Sequence, residues 1–144
     1  MIKQLVFILF SLLVITSCDS EDGDWESMKW NSTNYEQIKV NKSEAYAVPA
    51  QGGVYTFKCK NYSGFWVCSI AETIDGITSY LENQDNSQAH YLTDFCETEC
   101  DGYTLTVTIY PNGSTLPHFI NVEVEAGDAF SDVSFYQEAA QTEQ

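Results

Sequence analysis

Among the 144 residues of this chain, five cysteines, two histidines and several aromatic rings have chemistry to offer. Cys59, Cys68, Cys96 and Cys100 suggest up to two disulfides in an exported chain, and Cys59–Cys68 with Cys96–Cys100 is the expected pairing. Free buried thiols are the competing reading, because core cysteine behaves as a small apolar residue. His90 and His118 stand beside no nucleophile motif, and the sequence holds no G-x-S-x-G, no H-E-x-x-H and no phosphate-binding glycine loop, so no enzyme is expected. Asp94, Glu97, Glu99 and Asp101 offer oxygens for calcium but lack the spacing of an EF-hand loop. Cys96, Cys100 and His90 lack the second cysteine pair of a zinc site. Neither a metal nor a cofactor is expected. Sugar binding needs exposed aromatic faces flanked by amides or carboxylates. The candidates are Tyr62 beside Asn61, Tyr91 and Phe95 flanking the polar stretch 82–88 with Asn83, Gln84, Asp85 and Asn86, and Trp30 near the start of the domain. Trp66 is assigned to the core.

The elements that carry these residues begin with an apolar leader. Lys3 precedes the run Leu5–Ile15, broken only by Ser11, and Thr16-Ser17 lead into Cys18. The run is too short for a spanning helix, which takes about 20 apolar residues, and reads as a signal peptide over residues 1–17. Ile15-Thr16-Ser17-Cys18 resembles the lipobox of bacterial lipoproteins. The resemblance implies cleavage before Cys18, acylation of its thiol and anchoring in a membrane by more than one chain. Residues 18–34 form an acidic tether, with Asp19, Glu21, Asp22, Asp24 and Glu26 crowded together. An acidic stretch in this place resembles the export signal of Bacteroidetes surface lipoproteins, which implies the outer membrane, facing the cell exterior. Trp25 and Trp30 are unusual for a linker and are expected to dock on the domain.

The formal charge is −15, from six cations against twenty-one carboxylates, and one of the cations, Lys3, lies in the leader. The chain has no arginine. This excludes nucleic acid as a partner and the Arg forks that read sulfate or phosphate.

Residues 35–140 read as one all-β domain, with a short tail at 141–144. Val54–Lys60 alternates, with Tyr55, Phe57 and Cys59 inward. Phe65–Ile70 is expected to turn Trp66, Cys68 and Ile70 to one face. Ile77–Leu81 and His90–Phe95 are weaker strands around the polar loop. Tyr103–Ile109 buries Leu105, Val107 and Ile109, His118–Glu125 buries Ile120, Val122 and Val124, and Val133 and Phe135 mark the last strand. Seven or eight short strands with frequent turns predict an antiparallel two-sheet sandwich.

Val48-Pro49-Ala50-Gln51-Gly52-Gly53, a strand, then Phe65-Trp66, the stretch YPNGS and the ending Tyr136-Gln137-Glu138 resemble the BACON module, a Bacteroidetes-associated carbohydrate-binding domain. The resemblance spans residues 36–140 and implies an immunoglobulin-like sandwich that binds a glycan or a host glycoprotein. The other expectation is a spacer or interaction subunit of a surface complex with no small-molecule site. The segment Ala71–Asp101 departs from the family pattern, and no family motif supplies ligand residues here.

Overall fold

The computed structural model describes residues 25–31, 33–85 and 87–141; Cys18, the leader and the acidic run up to Asp24 lie outside them. Ten strands follow one another: β1 Gln37–Val40, β2 Ser43–Val48, β3 Gly53–Lys58, β4 Trp66–Ile74, β5 Ile77–Leu81, β6 His90–Leu92, β7 Cys96–Asp101, β8 Thr104–Ile109, β9 His118–Ala126 and β10 Ala129–Gln137. They form a six-stranded sheet in the order β1-β2-β10-β9-β4-β5 and a four-stranded sheet in the order β3-β8-β7-β6. Side chains of both sheets meet in one core, which makes the fold a β-sandwich. Every pairing is antiparallel except β2 with β10, which run parallel through Tyr46 opposite Phe135.

Alternation in the strands puts the expected residues inside. Phe57, Leu105, Val107, Ile120, Val122, Val124 and Phe135 are all sealed from solvent. Two two-residue hairpins, Asn41-Lys42 and Asp75-Gly76, take positive φ at both residues, the geometry whose twist matches that of the flanking strands. The Pro49–Gly52 turn closes with Gly52 N–H donating to Pro49 O at 2.9 Å. Gly52 sits at φ +77°, and a Cβ there would collide with the backbone carbonyl of Ile109. Gly52→Ala is therefore expected to cost about 2 kcal/mol or more, from the left-handed backbone and the collision together. Urea denaturation checks this; Gly127→Ala, also at positive φ but with open space around it, should cost less.

Three expectations change. In β4 the inward residues are Val67 and Ile70, while Trp66 and Cys68 are half-exposed. Val67 pairs with Val124 and Ser69 with Glu123, so Cys68 is the extra residue of a β-bulge, which shifts the alternation by one. Residues 96–101 are a strand rather than a disulfide-closed loop, and all four described cysteines are free. Cys96 and Cys100 lie four residues apart along β7, about 13 Å at strand rise, beyond the reach of a disulfide. Cys59 is buried beyond the end of β3, whereas Cys68 sits on the bulge of the other sheet with its thiol donating to Glu123 O, so the expected Cys59–Cys68 bond is absent too. Finally, residues 26–31 lie along the open edge of β3. Asn31 N–H donates to Lys58 O, Lys60 N–H donates to Lys29 O, and Trp30 bridges Cys59. Trp30 packs edge-on against Phe57 and Phe65 and donates its indole N–H to Ser131 Oγ, while Trp25 remains exposed.

Candidate functional site

β5 covers β4 only from Ile70 to Ile74, so Trp66–Ser69 have no strand neighbour on that side. Beyond Leu81 the chain crosses from the large sheet to β6 of the small one, and the crossing loop lies against this uncovered stretch. Between them is a groove of about 380 Å³, walled by Trp66 and Tyr91 and rimmed by Asn83, Asp85, Ser87 and Gln88. The bulge at Cys68 brings Trp66 there: without the extra residue, the ring would face the core.

The loop is held by its own side chains. Asn83 Oδ1 accepts from Asp85 N at 3.0 Å and from Leu92 N at 2.9 Å, and its amide donates to His90 O at 3.1 Å and Ser87 O at 3.3 Å. Gln84 ties back to Leu92 O and to Asp94 Oδ1. His90 Nδ1 lies 2.7 Å from Asp85 Oδ2, and its Nε2 lies 3.6 Å from Glu97 Oε2. The hydrogen bond to Asp85 is the main reason its pKa rises, so the imidazolium is favoured. Tyr91 donates to Leu81 O at 2.6 Å, which fixes its ring on the groove wall. Burial, then the nearby Glu123 and Glu125, pushes the Cys68 thiol up to about 11, so it stays protonated and unreactive. The five lysines of the domain and its preceding segment are Lys29, Lys39, Lys42, Lys58 and Lys60, on β1, β3 and their flanks, so among the described residues no lysine lines the groove.

Of the four aromatic candidates, only Tyr91 lines this groove. Tyr62 donates its hydroxyl to Glu26 O at 2.6 Å and so secures the segment before Trp30. Trp30 is engaged by Ser131 and the core rings. Phe95 packs edge-on against the His118 imidazole, 5.4 Å between ring centres. Trp66 is the ring that alternation misplaced. Its signal was the pair Val67 and Ile70, apolar residues three apart where an unbroken strand would space them by two.

A second constellation lies at the start of β9. Ser114 Oγ is 3.2 Å from His118 Nε2, and His118 Nδ1 is 2.9 Å from Glu72 Oε1. The last pair is almost fully buried, and neither atom completes an aligned hydrogen bond. Burial raises Glu72 to about 7 and lowers His118. The Ser114 hydroxyl donates to Leu116 O at 2.9 Å and accepts from Leu116 N, so it builds the turn and offers the imidazole an acceptor. A larger surface hollow, about 490 Å³, lies between Ala50-Gln51, Pro111-Asn112 and residues 138–141 and holds no aromatic ring. Among the described residues no three His, Cys, Asp or Glu side chains gather to hold a metal ion.

No protein-family model matches the sequence, and no curated protein matches it. Among solved structures the chain is similar to a protein from Bacteroides thetaiotaomicron determined by NMR, with a TM-score of 0.62 and 30% identity over 84% of this chain and 94% of that one. Identity at that level, sustained over nearly the whole of the other chain, makes the two relatives, and this protein belongs with it to a Bacteroidetes-type family of all-β proteins.

Proposed function

We propose that this is a lipid-anchored protein of the outer membrane, facing the cell exterior, whose immunoglobulin-like, BACON-like sandwich binds a glycan, free or carried on a glycoprotein, in the Trp66–Tyr91 groove. The observation that carries the reading is the pairing of two aromatic walls with a rim of Asn83, Asp85, Ser87 and Gln88. Rings stack on the apolar faces of a sugar while amides, a carboxylate and a hydroxyl meet its hydroxyl groups. Asn83 holds the rim in place before any ligand arrives, which lowers the ordering cost of binding. The reading involves no catalysis, cofactor or nucleic acid, and the anchor is the acylated Cys18.

The test is a glycan-array screen of the folded protein with Trp66→Ala and Tyr91→Ala alongside. Binding to one glycan class should weaken by about 2 kcal/mol, roughly thirtyfold, in Trp66→Ala, whose ring is half-exposed and whose loss spares the core. A blank array from folded protein, or binding that neither variant disturbs, rejects the groove. Cys18→Ala is expected to release the protein from membranes or stop its processing; a variant that stays acylated and membrane-bound rejects the anchor.

A second reading, an interaction subunit of a surface complex, draws on a different observation: the uncovered outer edge of β5, where Ile77 and Tyr80 are among the most exposed apolar side chains.

A further inference from the structure

The two sheets have four edges, and three of them are defended. On β3, Asn31 takes the last carbonyl, that of Lys58, residues 29–30 continue past the strand's end, and the Tyr35 hydroxyl takes the N–H of Thr56. β1 is four residues long and carries Lys39, with Lys42 in the adjoining turn. β6 has only three residues. Short strands, lysines and covering segments are the ways proteins keep foreign strands from adding to a sheet. β5, Ile77-Thr78-Ser79-Tyr80-Leu81, has none of these: no charge, no proline, no bulge, and side chains of high strand propensity. Ile77 closes a two-residue hairpin opposite Ile74, so Ile77 and Ser79 exchange main-chain bonds with β4, and alternation turns the N–H and C=O groups of Thr78 and Tyr80 outward. Among the described residues nothing bonds to them there.

The strand's ends select the occupant. Asp75 precedes β5 and Glu82 follows it, both exposed. A second copy of this chain pairing antiparallel about Ser79 would set Asp75 of one copy next to Glu82 of the other, and each chain carries a formal charge of −15. We infer that β5 is a docking edge for an extended segment of a different protein, apolar or hydroxyl-bearing in its middle and basic at both ends, which adds as a seventh strand to the large sheet. Main-chain bonds to Thr78 and Tyr80 would supply the pairing, and the flanking carboxylates would select the charge. The inference rests on the interaction-subunit reading and is independent of the groove's ligand.

The test uses two synthetic peptides with the same alternating Val/Thr middle, one with lysine at both ends and one with glutamate. The lysine-ended peptide should slow amide exchange at Thr78 and Tyr80 and bind about tenfold more tightly than its counterpart at low salt. The double variant Asp75→Asn, Glu82→Gln should remove the difference; asparagine tolerates the positive φ of residue 75. Tyr80→Pro, checked for folding by its amide spectrum, should abolish binding of both peptides, since it removes an outward N–H and leaves the main-chain bonds to β4 in place. Equal binding of the two peptides would keep β5 as a docking edge and overturn the basic-ended partner. Protection by neither would overturn the docking edge itself. Concentration-dependent protection of the same amides without peptide would overturn the inference in favour of a second copy.

Discussion

Phe135→Ala should cost about 3–5 kcal/mol, a large share of the stability of a domain this size. Phe135 is fully buried on β10, and its ring centre lies 5.9 Å from Tyr46, 5.3 Å from Tyr55 and 6.0 Å from Phe57. Those three come from β2 and β3, so one side chain joins the parallel pair of the large sheet to the edge of the small one. Tyr35 closes the cluster from outside, its ring edge-on to Tyr46, Tyr55 and Phe57 and its hydroxyl accepting from Thr56 N. A cavity there cannot close by a local shift, because rigid rings from both sheets line it. Phe135→Leu keeps most of the volume and should cost less than half as much. Tyr80→Ala, on an exposed ring, should fall within about 0.5 kcal/mol of the parent. Urea midpoints with an unchanged denaturant slope provide the check; a loss near 1 kcal/mol for Phe135→Ala would mean that the cluster does not clamp the sheets.

The strands that alternate cleanly, β3, β8 and β9, were legible because one face of each meets the core and the other meets water. Elsewhere the pattern answers to contacts that no local window contains. The bulge at Cys68 exists because β4 must match β9 on both sides of Val67–Ser69, and this match took Trp66 from the core to the groove. β7 reads Cys-Glu-Thr-Glu-Cys-Asp, too acidic to look like a strand; it becomes one because Cys96 and Thr98 are buried under the large sheet while Glu99 and Asp101 face out. The parallel β2–β10 pair joins segments some ninety residues apart and leaves no local trace. The polar loop and Tyr91 were recognisable as binding chemistry from composition, but their facing partner was not. Tyr62 looked free because the sequence does not reveal that Glu26 would lie beside it, whereas Trp30, expected to dock on the domain, does so.

In the native protein the pH slopes of the buried Glu72–His118 pair should oppose each other just below pH 6.5, and single substitutions at the pair should release them in opposite directions. Glu72 has a folded pKa of about 7 against an ordinary value of 4.5, because burial disfavours its carboxylate. Between those values the folded state holds a proton that the unfolded state lacks, so this group makes stability fall as pH rises. His118 is shifted below its ordinary 6.5 by burial. Below 6.5 the unfolded state holds a proton that the folded imidazole lacks, so this group makes stability fall as pH drops. From 6.5 down to the lowered folded pKa of His118, each state carries one proton on the pair, and the two slopes oppose each other. The groups facing the pair do not interfere: the Cys96 thiol of β7 is pushed up to about 11, and the Phe95 ring and Ser114 hydroxyl are uncharged. Glu72→Gln leaves the histidine slope alone, so this variant should lose stability on acidification below 6.5, at up to about 1.4 kcal/mol per pH unit. His118→Gln leaves the carboxyl slope, so that variant should lose up to about 3 kcal/mol between pH 4.5 and 7. Urea denaturation of the three proteins at pH 5.0, 6.0 and 7.0 distinguishes the outcomes. Parallel profiles would mean that the carboxyl and imidazole titrate as they would in water, and that the pair is solvated despite its burial.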